Sequence, residues 1–312
     1  MIETVEKIAL PVDEKLIIEK NHIASEDGFD KRISVVSGIH GDELDGQYIC
    51  YELARRINEN IQWLHGTVDI YPVLNPLGMD SIQRGFPPTG TDMNSVFPGT
   101  TDGILMESVA SHIVDDLVGS DLCIDVHSSS VFLQELPQVR VIKDWQDKLL
   151  KYAALLNTDL IWVQETDSHL EATFSYAMNC VGVPAFTVEM GVGMYITRKY
   201  GDEIVDGILA IMSELGMWDG DRARIKKPQL ADINRIELVT NNEPGIFMPD
   251  VKIGQRIEKD QQIGEIVSSI EGKILEKIYA HAAGRLYTIR EYPLVYKGSL
   301  LARIITDEKG GE

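Results

Sequence analysis

Ile33-Ser34-Val35-Val36-Ser37-Gly38-Ile39-His40-Gly41-Asp42-Glu43 begins as a short β-branched run and breaks at a glycine. The run predicts a buried strand over 33–37. A helix follows over 45–57, with Ile49, Leu53 and Ile57 at i, i+4 and i+8 on one stripe. A strand feeding a helix through a glycine-bearing turn is the repeating piece of an α/β sheet. The alternation continues outward. A second strand over 67–74 is stopped by Asn75-Pro76-Leu77-Gly78. A helix over 105–117 carries Leu105, Val109, Ile113 and Leu117 on one stripe. Further strands are predicted over 122–126, 160–163 and 185–188, and further helices over 170–179 and 202–215. The pattern implies an α/β fold with a largely parallel sheet covered by helices on both faces.

Composition changes near residue 220. A charged stretch over 221–228 ends in Pro228 and reads as a linker. Beyond Arg235, turn signals recur about every ten residues: Glu243-Pro244-Gly245, Pro249-Asp250, Ile253-Gly254, Ile263-Gly264, Glu271-Gly272, Ala283-Gly284 and Lys297-Gly298. Such spacing predicts a small all-β unit. The expected division is a catalytic domain over 1–225 and a β-domain over 226–312. At ~150 residues per domain, 312 residues suit two domains and a core that needs no disulfide or metal merely to fold.

The chain carries 49 acidic and 29 basic residues, a formal charge of −20. That balance argues against general binding to nucleic acid or an anionic membrane, both of which need a basic face. It leaves room for a locally positive pocket. Cys50, Cys123 and Cys180 are an odd set without CxxC spacing, expected as core thiols in a reducing compartment. No signal-peptide pattern opens the chain, and no run of ~18 apolar residues occurs. A cytoplasmic location is the expectation.

The first strand delivers His40 and Glu43, spaced H-x-x-E, to a turn that opens a helix. The strand over 122–126 leads into His127, and the strand over 185–188 leads into Glu189. Sites in open α/β sheets sit outside the carboxyl ends of strands, so these four groups share one rim. Two histidines and a carboxylate make a catalytic zinc set with a fourth position open, and Glu189 is left over as a general base. Taken singly, each residue has an ordinary reading, as a hydrogen-bonded structural histidine or a capping or solvated carboxylate. The conjunction is what points to a zinc hydrolase. Asp125, two residues before His127, is either a carboxylate orienting that ligand or a strand-end cap. His22, His65, His112, His169 and His281 lack metal-like neighbours. HExxH, Gly-x-Ser-x-Gly and Walker A sequences are absent.

Between these groups lie Asn75-Pro76, Arg84 and Asp92-Met93-Asn94-Ser95-Val96-Phe97-Pro98-Gly99. In order, H-G-x-E, N-P, Arg, D-x-N-x-x-F-P-G, D-x-H and E-x-G resemble the succinylglutamate desuccinylase/aspartoacylase family of the zinc-carboxypeptidase-like clan. The resemblance covers about residues 33–193, and a barrel-sandwich-like C-terminal unit extends it. It implies a zinc-carboxypeptidase-like mixed, largely parallel sheet and one Zn²⁺ per chain held by His40, Glu43 and His127. It further implies that Glu189 activates the zinc-bound water, that Arg84 stabilises the oxyanion, and that Asn94 with Arg84 binds substrate. The substrate class is a small N-acyl amino acid or amide, with a homo-oligomer as an open option.

Ser95 departs from the pattern, because the family usually carries Arg there. A serine cannot replace a guanidinium forked onto a carboxylate. Either the substrate lacks that carboxylate or another cation supplies the charge, with Arg198 and Lys199 as candidates beside a simple solvated reading. The expectation is a zinc-dependent deacylase of N-acylated amino acids or similar amines. The alternatives are a metallocarboxypeptidase on short peptides and a non-catalytic metal-containing binding protein. Lys273 lacks the Met-Lys-Met setting of a carrier domain, so the β-unit is expected to shape access to the site or assist assembly.

Overall fold

The computed structural model describes residues 1–307. Residues 308–312, the end of the expected β-domain, lie outside the described part. The chain opens with β1 (Ile2–Ala9), β2 (Lys15–Ala24), β3 (Arg32–Ser37), α1 (Asp45–Glu59), β4 (Thr67–Tyr71), α2 (Pro76–Ser81) and α3 (Leu105–Leu117). It continues through β5 (Leu122–Ser128), β6 (Leu133–Ile142), α4 (Gln146–Ala153), β7 (Leu160–Gln164), α5 (Phe174–Cys180), β8 (Ala185–Gly191) and α6 (Arg198–Glu214). Apart from a 3-10 turn at Ile233–Arg235, the elements that follow are strands: β9 (Gln229–Ala231), β10 (Ile236–Thr240), β11 (Gly245–Pro249), β12 (Arg256–Ile257), β13 (Gln262–Ser268), β14 (Lys273–Tyr279), β15 (Gly284–Arg290), β16 (Leu294–Val295) and β17 (Leu300–Thr306).

Side chains alternate across the main sheet, and each face is covered. Ile33, Val35, Ile124, Val126 and Val188 pack against Ile49, Leu53 and Ile57 of α1 and against Ile204, Ile208 and Ile211 of α6. Val36, Cys123 and Ala185 face the other way, onto Val109, Ile113 and Leu117 of α3 and Phe174 and Met178 of α5. The stripes read from the sequence are therefore the buried faces of their helices. The strands β4, β3, β5 and β8 are neighbours in that order and parallel. Their carboxyl ends form one edge, and the predicted site residues sit along it.

Several segments differ from expectation. The strand over 67–74 ends at Tyr71, and the helix over 170–179 splits into a 3-10 turn at Leu170–Ala172 and the helix α5. Cys50 and Cys123 are buried, but Cys180 is exposed at the end of α5. The antiparallel strands β1, β2 and β6 were not foreseen. Of these, β6 matters most for the site, because it pairs antiparallel with β8 on one side and with β15 on the other. The main sheet thereby runs on into β15, β17 and β10. A second sheet, ordered β14-β13-β11-β16, packs across from them around Phe247, Ile266, Leu286, Leu301 and Ile304. Among the described residues no helix is long and apolar enough to cross a membrane.

Candidate metal centre and active-site cavity

The turn after β3 is built by close backbone contact. Gly38 has φ +67°, and a Cβ there would lie 2.8 Å from the carbonyl oxygen of Pro72. A Cβ at Gly41 would sit 2.0 Å from the carbonyl carbon of Gly78. A larger residue at Gly38 would collide with the segment after β4, and one at Gly41 with α2. The loop before α2 grips the turn in return. Asn75 N–H donates to Gly38 O at 2.8 Å, the Asn75 side chain accepts from Gly78 N–H at 3.0 Å, and Gly41 N–H donates to Arg84 O at 3.2 Å. Asn75-Pro76 thus works as a clamp on the segment that carries His40 and Glu43.

Three side chains converge at the strand ends. His40 Nδ1 and His127 Nδ1 each lie 2.8 Å from an oxygen of Glu43, and 3.1 Å from each other. All three residues are buried. Ligands at 2.0–2.1 Å from a tetrahedral ion stand roughly 3.3 Å apart, so the spacing is close to that of a collapsed zinc shell. The remaining ring nitrogens also meet carboxylates: His40 Nε2 lies 3.0 Å from Asp92 Oδ1, and His127 Nε2 lies 3.0 Å from Asp125 Oδ1. The second pair is close without being aligned for a hydrogen bond, which leaves both atoms orphaned in the core. A carboxylate behind each ligating imidazole is the usual device for fixing ring orientation around a metal.

The local field points the same way. Burial disfavours a charged His127, but Asp125 and Glu43 outweigh it and lift its pKa well above the ordinary histidine value. Burial also opposes charge on His40, and there Glu43 and Asp92 prevail. Burial alone would push Glu43 up, whereas His127 and His40 draw it below the usual carboxylate range. A pull that favours protons on two adjacent imidazoles equally favours a cation between them. The donor set and its surroundings fit a divalent ion.

Arg84 is half-exposed at the edge of this cluster. Its Nη1 donates to Glu43 Oε1 at 2.9 Å and its Nε to Asp92 Oδ2 at 3.3 Å. Glu189 lies two residues before the end of β8, beside His127 of β5, its register partner. Burial raises the Glu189 pKa, opposed chiefly by Arg140, whose Nη1 lies 3.0 Å from Glu189 Oε1. A cavity of about 370 Å³ joins these groups, lined among others by Asp42, Glu43, Arg84, Ser128, Glu135, Arg140, Glu189 and Arg303.

Asn94 and Ser95 are not among the lining residues of that cavity. The Asn94 side-chain oxygen accepts from Phe174 N–H at 2.8 Å and so caps α5. Ser95 is exposed, and its hydroxyl donates to Asp92 O at 2.6 Å. Arg198 and Lys199 are exposed outside the cavity, with the Arg198 guanidinium 5.5 Å from the Tyr48 ring. The cations that do reach the cavity besides Arg84 are Arg140 of β6 and Arg303 of β17, and sequence reasoning passed over both. No local signal marks them, since β6 runs antiparallel to β8 and β17 lies outside the parallel strands that form the rim. Of the other histidines, His22 meets Asp69, and His65 meets Asp27 and Asp219.

Comparison with known proteins places the chain among relatives. Residues 30–215 match the model of the succinylglutamate desuccinylase/aspartoacylase catalytic domain. An N-alpha-acetyl-L-2,4-diaminobutyric acid deacetylase of Halomonas elongata is 25% identical over 268 residues, spanning 83% of this chain and 77% of the relative. Among solved structures, a succinylglutamate desuccinylase/aspartoacylase from Rhodobacter sphaeroides superposes with a TM-score of 0.82 at 20% identity, covering 98% of this chain and 95% of that one. The product-bound ectoine utilization protein from Ruegeria pomeroyi gives 0.80 at 18% identity, covering 96% and 92%. With its catalytic domain matched over more than half its length, the chain belongs to the succinylglutamate desuccinylase/aspartoacylase family.

Proposed function

We propose that the protein is a zinc-dependent deacylase that hydrolyses the amide bond of a small N-acylated amino acid or related amine. The observation that carries this reading is the convergence of His40, Glu43 and His127, with Glu189 on the wall of the cavity that Glu43 also lines. His40, Glu43 and His127 would hold the zinc, which would supply Lewis acidity and lower the pKa of water to ~7. Glu189, raised above an ordinary carboxylate by burial, takes the proton of the attacking water and passes it to the departing amine. Arg84 stands at the cluster edge, where it can hold the charge that develops on the amide oxygen. Asn94, whose carbonyl already caps α5, has only its amide group to offer a substrate. Residues 1–225 form the catalytic domain and 226–312 the β-domain in this reading, and the protein acts in the cytoplasm.

The Halomonas relative is named for removing acetyl from N-alpha-acetyl-L-2,4-diaminobutyric acid, so N-acetyl compounds head the substrate panel. The test measures primary-amine release from N-acetyl, N-succinyl and other N-acyl amino acids by zinc-loaded wild type and Glu189→Gln. Release by wild type, reduced about 10²- to 10⁴-fold in the variant with metal content unchanged, is the expected result. Equal release by both would remove Glu189 as the base. No release from any member would overturn the deacylase reading.

A further inference from the structure

The departure at Ser95 leaves open which cation meets an anionic substrate, and the cavity supplies an answer from elsewhere in the chain. We propose that Arg303, delivered by β17 of the C-terminal β-unit and working with Arg140, receives a carboxylate of the substrate. This inference rests on the deacylase reading above. It names Arg303 as a specificity determinant for that reaction.

Part of the cavity wall is one cross-strand row. Thr288 of β15 is the register partner of both Glu135 on β6 and Arg303 on β17. A register shift between Leu286 and Thr288 sets Thr288 opposite Arg303. Glu135 is 1% exposed and saturated. Its Oε1 accepts from Arg303 Nη1 at 2.6 Å and Thr288 Oγ1 at 3.0 Å, and its Oε2 from Gln138 Nε2 at 2.9 Å and Arg140 Nη2 at 3.3 Å. Glu135 is therefore an anchor that fixes two guanidiniums. Trp162 supports them from beside, its ring centroid 5.5 Å from Arg140 Cζ and 5.8 Å from Arg303 Cζ.

The donors are not used up. A guanidinium has five N–H groups. Among the described residues Arg303 spends only Nη1, and the Nε atoms of both arginines are buried without a partner. Their side chains are 18% and 24% exposed, so a small ligand in the cavity can reach them. Arg84, Arg140 and Arg303 line the cavity together with Asp42, Glu43, Glu135 and Glu189. A carboxylate is planar and two-oxygened, which suits a fork of guanidinium donors.

The test compares wild type, Arg303→Gln, Arg303→Lys and the exterior control Arg198→Met. Each is assayed on an N-acetyl amino acid, its carboxamide, and the N-succinyl derivative of that carboxamide. The readout is the ratio of kcat/KM for charged over neutral substrate, which cancels any loss of folded protein. Arg303→Gln is expected to lower the ratio about 10- to 100-fold, with Arg303→Lys between it and wild type and Arg198→Met unchanged. A fall with the N-acetyl amino acid places the carboxylate on the amine portion, and a fall with the N-succinyl carboxamide places it on the acyl arm. Equal losses on charged and neutral substrates, or none, would overturn the inference and leave the row as a structural tie. Calorimetric binding of the free amino acid and its carboxamide to wild type and Arg303→Gln gives a readout independent of turnover. If no substrate is hydrolysed, the deacylase reading fails, and the same titration still decides whether Arg303 binds a carboxylate.

Discussion

The cavity has two walls made in different ways. On one, His40, Glu43 and His127 stand at the carboxyl ends of adjacent parallel strands, each placed by the strand that precedes it. On the other, Glu135 and Arg140 come from β6 and Arg303 from β17, both antiparallel to β15, and Glu135 meets Arg303 across 168 positions of sequence. The first wall depends on local turns and on the shared edge of a parallel sheet. The second depends on the docking of the C-terminal strands against β6. Ligand geometry should therefore be robust to disturbance of the β-unit, whereas the guanidinium wall should couple substrate recognition to overall stability.

The largest expected effect is on the first wall. His127→Ala removes one of the three proposed ligands, and metal content after dialysis should fall to background, with activity down at least ~10³-fold because Lewis-acid stabilisation of several kcal/mol is lost. Its unfolding midpoint in metal-free buffer should change far less than its activity. Glu135→Leu strikes the second wall, leaving Arg140 and Arg303 without their buried anion. Denaturant unfolding should show a loss of about 3–5 kcal/mol. Zinc affinity in the folded protein should be retained, and a parallel loss of zinc would show that the two walls are not separable.

A finer cut tests whether the first wall extends behind its ligands. Asp125→Asn keeps the shape of the side chain beside His127 but removes its charge. Zinc affinity by competition with a chelator should fall about 10- to 100-fold. An unchanged affinity would make Asp125 a strand-end cap only. The smallest effect serves as a reference outside both walls. On α1, hydrogen bonds from Arg55, with help from Arg56, hold the Glu52 carboxyl at about 2, below its ordinary 4.5. A folded-state pKa that is depressed contributes stability above the unfolded value and loses it as pH falls through the folded value. Glu52→Gln should thus cost about 1 kcal/mol at pH 7 after solvent screening of the exposed arginines. By thermal melts, the difference from wild type should shrink between pH 4.5 and 2 and vanish below.

Much of this molecule is legible before any coordinates. The stripe Ile49, Leu53, Ile57 and the run Ile33–Val36 identify a helix and a buried strand, because burial on one face imposes its period on the sequence. The ordered motifs from His40 to Glu189 were readable for a related reason. Parallel strands deliver their carboxyl ends to one edge, so residues at those ends meet whatever lies between them in the chain. By itself the sequence determined the α/β class, the β-rich tail and the rim that carries the two histidines and two glutamates.

Tertiary structure alone decided what surrounds that rim. Strand β6 holds Pro137 and the polar residues Gln134, Glu135, Gln138 and Arg140, a pattern that reads as surface until β15 covers it. The meeting of Glu135, Thr288 and Arg303 hangs on a bulge and an antiparallel register, and a one-residue slip would turn Arg303 to the opposite face. Likewise Asp92 reaches His40 Nε2 only because the loop carrying it folds back over the turn that Asn75 clamps. Periodicity records which face of an element is buried. It carries no information about which distant strand will lie beside it, because that choice depends on contacts between elements far apart in the chain.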